Sequence, residues 1–384
     1  MKRSRPSFEQ VARISKGAQE RGSSVLERER ALFDALQEEI ENREVEDVRG
    51  IDKAIMELSD AVIDEFMAAR HPELELREIG EVRVVDQVKM QEGASGGLLL
   101  HGETKVGRRE ESKYGHARVM MSVMHEKCHE QSFTDLQITR DSRVARVGFE
   151  TKTTDSDGNI KKYFSGINEA LTKSLEQRLF DGLPQDNFLV QAVESRGEYA
   201  KDAIVDPFLV EAVEENPVAV SVFLEDDDVN IKVFSSYAHD LKFLNDISER
   251  VAVSMPGQFS DSDEVIKMLE KTYLTGEFGD FKNVVNKVFG PKGLLVLSRW
   301  ENADLYSQEV RDAFSDFIAG ELVDEDKLIS DLEMKACNIC RKRSSGSICE
   351  SCNERLPHST VEESELVCRF CGDPTVGGIC EDCG

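Results

Sequence analysis

Apolar positions recur at two periods along this chain, and the change from one to the other marks out its elements. Between Gly115 and Ser132, Val119, Met120, Val123, Met124 and Cys128 repeat at the spacing of one helix face, with no proline to interrupt them. A second stretch of this period, Ile51 to Ala69, carries Ile55, Leu58, Val62 and Phe66 and ends at His71-Pro72. Alternating segments at Glu81–Val88 and Leu98–Val106, around Gly93-Ala94-Ser95-Gly96-Gly97, predict strands. A β-hairpin is expected from Arg146 to Thr153, a turn at Asp155-Ser156-Asp157-Gly158, and a return strand from Ile160 to Phe164. Helical period then resumes at Gly166–Phe180.

Further on, helices are expected at Phe208–Val213, Leu241–Val253, Ser262–Tyr273 (with Ser260 and Asp261 as caps) and Phe281–Phe289, the last stopped by Gly290-Pro291. The N-terminal residues 1–47 read as a charged, exposed helix with the narrow apolar stripe Leu26, Leu32, Phe33, Leu36 and Ile40. Residues 323–335 read as an acidic linker helix. The fold class is therefore α+β, with a principal domain over 48–322 and a separate tail over 336–384.

The helix around Val119–Cys128 contains His125-Glu126-Lys127-Cys128-His129, an HExxH sequence. Histidines four apart lie on one helix face and can grip one zinc ion, and the intervening glutamate can work on a zinc-bound water. The other reading is a core helix whose histidines bond to neighbouring carbonyls, since a buried imidazole needs a partner. Cys128 points off the histidine face and reads as a small buried filler. His101 and His116 have no assigned role. The Gly93–Gly97 loop lacks the Lys-Ser/Thr ending of a phosphate-binding loop.

Downstream, Gly166-Ile167-Asn168-Glu169-Ala170-Leu171-Thr172 opens the next helix. With HExxH it resembles the glutamate-zincins, the thermolysin clan of metallopeptidases, whose third zinc ligand is the glutamate of an Asn-Glu-Ala-type helix. The resemblance implies His125, His129 and Glu169 as zinc ligands and Glu126 as catalytic base. The 40 positions from His129 to Glu169 exceed the thermolysin spacing and are closer to that of small bacterial and toxin-type members. A hairpin insert would return the chain to its starting point. Toxin-type relatives place a catalytic tyrosine where this chain has Tyr163; its other reading is a strand aromatic packed on the core, and Tyr237 and His239 are substitutes. One departure stands out: Lys173 occupies the position, four after the glutamate, where the clan carries an acid supporting a ligand histidine.

Eight of the nine cysteines fall in the last 48 residues, as two copies of one pattern. Cys337, Cys340, Cys349 and Cys352 are followed at the same spacing by Cys368, Cys371, Cys380 and Cys383. Paired CxxC knuckles suit tetrahedral zinc, with disulfides as the other reading. The tail resembles a double zinc ribbon, each ribbon folding around its own metal. The expected complement is thus one catalytic and two structural Zn2+.

Net charge of −27 disfavours contact with nucleic acid or anionic membranes; the basic cluster Arg341-Lys342-Arg343 is the local exception. No apolar run approaches bilayer length. The N-terminus has no apolar signal region, and Glu9 and Glu20 count against a matrix-targeting peptide, so a cytoplasmic location is expected. The functional expectation is a zinc metallopeptidase acting on a peptide or protein substrate, its ribbon tail recognising substrate or a protein partner. The alternative is a catalytically silent zincin scaffold serving as a zinc-ribbon adaptor for protein or nucleic acid.

Overall fold

The computed structural model describes residues 50–74, 81–86, 96–98, 103–108, 113–138, 142–155, 160–183, 220–225, 230–235, 238–301, 306–333, 335–336 and 343–344. It also describes residues 12–14 and, singly, 27, 30, 187, 190, 191 and 303. Helix and sheet are mixed, in an α+β arrangement. The expected helix at Phe208–Val213 and all eight cysteines of the tail lie outside the described residues.

The first described element is a strand, β1 (Ala12–Ile14), which pairs in parallel with β5 (Thr134–Ile138). This corrects the expectation of one helix over 1–47. Apolar and polar residues alternate at Ala12-Arg13-Ile14, which suits a sheet, and backbone pairing to β5 supplies partners that the isolated segment lacks. Helix α1 (Gly50–Arg70) follows as expected. Strands β2 (Glu81–Asp86), β3 (Gly96–Leu98) and β4 (Glu103–Arg108) form a sheet of order β2-β4-β3, with β2 parallel and β3 antiparallel to β4. Gly96 and Gly97 therefore belong to a strand, and the expected strand Leu98–Val106 is two short ones.

Helix α2 (Lys113–Gln131) carries the HExxH sequence. After it the chain forms a four-stranded antiparallel meander, β5, β6 (Ser142–Val147), β7 (Glu150–Asp155) and β8 (Ile160–Tyr163). The expected strand Arg146–Thr153 is broken in two. Gly148 adopts a left-handed φ of 56°, turning β6 tightly into β7. A Cβ there would sit 2.5 Å from the Tyr273 ring, so the turn also needs glycine for space.

Helix α3 (Ser165–Asp181) starts directly after β8. The hairpin β9 (Val220–Glu225) and β10 (Asn230–Ser235) was not anticipated. Then come α4 (Ala238–Ser254), α5 (Ser262–Thr275), α6 (Gly279–Phe289), α7 (Gly293–Arg299), α8 (Gln308–Ala319) and α9 (Glu325–Glu333). At the start of α5 the cap is reciprocal: Asp261 accepts from the Glu264 N–H at 3.0 Å, and Glu264 accepts from the Ser260 N–H at 2.7 Å.

One hydrophobic cluster joins α1, α2, α3 and the C-terminal helices. Val119, Met120, Val123, Met124 and Cys128 are all buried in it, as the helical period predicts. The aromatic centre is Trp300, which packs on Phe243 and Phe314 and donates its indole N–H to buried Asp240 at 2.7 Å. Beyond α9, β11 (Lys335–Ala336) pairs antiparallel with β12 (Arg343–Ser344), bracketing Cys337 and Cys340 in sequence.

A candidate metal centre between two helices

Helix α2 is fixed from both sides before its histidines meet anything. Its apolar residues enter the core, and Lys127 reaches α1, donating to the Met56 carbonyl at 3.1 Å and pairing with Asp60. Lys127 is the variable third residue of the motif and is almost fully buried. Cys128 is fully buried, and burial pushes its thiol well above the ordinary cysteine range. That fits the filler role and rules out ready thiolate chemistry.

Helix α3 is docked through its first turn. Phe164 takes a left-handed φ of 59° as the chain leaves β8, and its N–H donates to the Ser298 carbonyl at 2.8 Å. Gly166 donates to the Trp300 carbonyl at 3.0 Å, and a Cβ on it would meet the Trp300 ring at 2.6 Å. Asn168 Oδ1 accepts the N–H groups of Phe149 and Glu150 at 2.9 and 3.3 Å, tying α3 back to the β6–β7 turn. The next residue is Glu169.

These constraints bring His125, His129 and Glu169 together, 40 positions of intervening chain notwithstanding. The two histidine Nε2 atoms lie 3.2 Å apart. The Glu169 carboxylate is 3.4 Å from His125 Nε2 and 3.6 Å from His129 Nε2. A tetrahedral zinc with bonds of about 2.0–2.1 Å requires donor atoms about 3.3–3.4 Å apart. The nitrogen pair comes close to one edge of such a tetrahedron, and the two glutamate distances, each to a different carboxylate oxygen, are of similar length. Two nitrogens with one carboxylate are a donor set that suits zinc. His125 and Glu169 keep partial exposure, whereas His129 is buried. Among the described residues this is the group that can hold a metal ion.

The electrostatics describe what happens when no cation balances the cluster. Burial opposes the His125 imidazolium, but the hydrogen bonds it donates to Glu169 and Glu176 outweigh this and push the group up to about 10. Burial likewise opposes the Glu169 carboxylate, yet the two histidines hold it well below the usual range. Positive charge is thus demanded at this point, whether from a proton or a metal.

Each histidine of the cluster also has a partner on Nδ1. For His125 it is Glu176, whose Oε2 lies 3.1 Å away. Lys173 pairs with that same carboxylate at 2.7 Å. Burial raises the Glu176 pKa, but Lys173 and His125 more than offset this and keep it ionised. The acid absent four positions after Glu169 is therefore supplied seven positions after it, on the same face of α3, and Lys173 holds it. For His129, Nδ1 lies 3.2 Å from the Tyr273 hydroxyl and 3.4 Å from that of Thr172. Neither Glu176 nor Tyr273 was anticipated. A carboxylate two turns along the helix from Glu169 was the available signal for the first; for Tyr273, a hundred positions downstream, there was none.

Glu126 lies beside the cluster, mostly buried, and burial raises its pKa above the ordinary glutamate range. Tyr163 ends β8 half-buried, with the Arg299 guanidinium 4.9 Å over its ring. His116 lies on α2 ahead of the motif, and His239 lies in the first turn of α4. Tyr237 and His101 fall outside the described residues, as do Cys337, Cys340, Cys349, Cys352, Cys368, Cys371, Cys380 and Cys383.

The site and fold therefore define an α+β chain with a two-histidine, one-glutamate cluster at a helix–helix contact. No family model, no curated protein and no solved structure matches the chain. No described helix is long and apolar enough to cross a membrane.

Proposed function

We propose that the chain is a zinc-dependent metallopeptidase of glutamate-zincin type, with His125, His129 and Glu169 as ligands and Glu126 as general base. The carrying observation is the convergence of the two imidazole Nε2 atoms and the Glu169 carboxylate, 3.2 to 3.6 Å apart, with Glu126 between the two histidines in sequence. A bound zinc would supply Lewis acidity, lowering the pKa of a water towards about 7 and polarising a carbonyl. Glu126 takes the water's proton and hands it to the departing amine, and a raised pKa suits a group that must both accept and release it near neutrality. Tyr163 is carried forward as the second electrophile because of its place just ahead of α3.

The adaptor reading drew on Lys173 in place of an acid. Glu176 at His125 Nδ1 removes that ground, so the enzymatic reading is favoured. The tail is proposed to hold two structural zincs and to recognise protein. The pairing of Lys335–Ala336 with Arg343–Ser344 supports a ribbon hairpin there.

The test is metal content and hydrolysis on the purified full chain. Wild type is expected to hold three zincs and His125→Ala two. Glu126→Gln should keep three while losing cleavage of a peptide library. Equal zinc in wild type and His125→Ala would sink the metal assignment; cleavage surviving Glu126→Gln would sink the base.

A further inference from the structure

We propose that Tyr273 is a positioning residue for His129, its buried hydroxyl receiving the Nδ1 proton of that imidazole and leaving Nε2 as the metal-binding atom. This rests on the metal reading above and adds a residue from a distant helix to it.

The direction of the hydrogen bonds follows from the end of the chain that cannot be reversed. The Asn168 main-chain oxygen is only an acceptor, and Thr172 Oγ1 lies 2.8 Å from it, so the Thr172 proton is committed there. Thr172 can then only accept from Tyr273, whose hydroxyl is 3.0 Å away. With its own proton given to Thr172, the Tyr273 oxygen presents lone pairs to His129 Nδ1 at 3.2 Å. The proton of a neutral His129 must therefore sit on Nδ1, and the free lone pair sits on Nε2, the atom 3.6 Å from Glu169. Ser132, which also hydrogen-bonds the Tyr273 hydroxyl, commits its own proton to the His129 carbonyl at 2.6 Å. Like Thr172 it can then only accept from Tyr273, and the phenol oxygen still faces Nδ1 as an acceptor.

The phenol is held as a rigid part. The Tyr273 carbonyl accepts the Phe133 N–H at 2.9 Å, just beyond the end of α2. Its ring is fully buried and packs against Gly148, where even a methyl would not fit. Asn168 closes the loop, because its side chain bonds the residues that follow Gly148. The two ligand histidines are thus oriented differently: His125 by a carboxylate neutralised by Lys173, His129 by an uncharged hydroxyl.

The test uses full-length zinc-loaded protein and follows the zinc that His125→Ala removes. Tyr273→Phe retains the ring and deletes one oxygen. Chelator competition should show that zinc held about 10–100-fold more weakly. Thr172→Val, the second variant, removes one of the two hydroxyls that can take the Tyr273 proton and leaves Ser132, so a smaller loss in the same direction is expected. With 15N-histidine labelling, the His129 Nδ1 proton should exchange slowly in wild type and rapidly in Tyr273→Phe. Affinity within twofold of wild type in both variants, with an unchanged Nδ1 proton, would reduce Tyr273 to packing. Equal zinc content in His125→Ala and wild type would instead overturn the metal reading, and this proposal with it.

Discussion

Lys173 and Glu176 face each other one turn apart on α3, Nζ to Oε2 at 2.7 Å, and Glu176 turns its carboxylate to His125 Nδ1. Lysine thus stands where an acid was expected and secures an acid placed one turn later. A buried carboxylate with no cation beside it would be costly to keep ionised. Lys173 removes that cost without touching the histidine.

Glu176→Gln keeps the shape and removes the charge. The zinc lost in His125→Ala should be bound about 10–100-fold more weakly, read by chelator competition. Unchanged affinity would show that the His125 ring is held by packing alone.

The pH dependence of zinc binding has a definite sign. In metal-free protein His125 is pushed up to about 10, so between pH 7 and 9 it carries a proton that zinc must displace. Apparent affinity at this site should rise about tenfold per pH unit over that window, with one proton released per zinc from His125. Calorimetry in buffers of different ionisation enthalpy counts it. The raised imidazole also stabilises the metal-free fold. That contribution is complete below the unfolded histidine pKa of about 6.5 and is lost as pH rises through about 10.

Gly166→Ala places a methyl against the Trp300 ring and the Glu301 carbonyl, neither of which is the free end of a flexible side chain. A destabilisation of about 1–3 kcal/mol is expected from overpacking. Urea denaturation checks it, and a midpoint equal to wild type would mean that the α3–α7 contact is looser than described.

Glu270 is fully buried on α5 and accepts from Arg70 Nε at 2.5 Å, with His71 Nε2 at 3.1 Å. Glu270→Leu removes the buried acceptor of His71 Nε2 and Arg70 Nε, leaving Arg70 only its pairing with Asp263, and should cost about 3–5 kcal/mol in a urea titration. Adding Arg70→Leu should recover part of that loss, because the Nε–H that lost its buried partner is then gone. Failure to recover any would assign the effect to His71.

Much of this was legible in the sequence. The helices carrying His125, His129 and Glu169 and the capping of α5 follow from local period and local chemistry, and the pairing of Glu169 with the two histidines was an expectation from the resemblance. Gly148 was not, because the expected strand Arg146–Thr153 looks continuous until a left-handed glycine breaks it. The β9–β10 hairpin, with its alternating Val220–Glu225 and Asn230–Ser235, carried a readable pattern that was passed over. Strand β1 was missed because three residues inside a charged segment have meaning only beside β5. Glu176 and Tyr273 depend on tertiary approach, which periodicity does not encode.

Helix α5 touches no donor atom of the cluster, yet its Glu270 grips the end of α1 and its Tyr273 meets His129. The segment from Lys113 to Asp181 contains every ligand and the base, and it is not a portable cassette. Grafted elsewhere or expressed alone, it would carry the full signature while His129 faced solvent or a stranger. The His125, His129 and Glu169 cluster is a product of tertiary assembly, and a designer borrowing the motif would have to borrow the phenol as well.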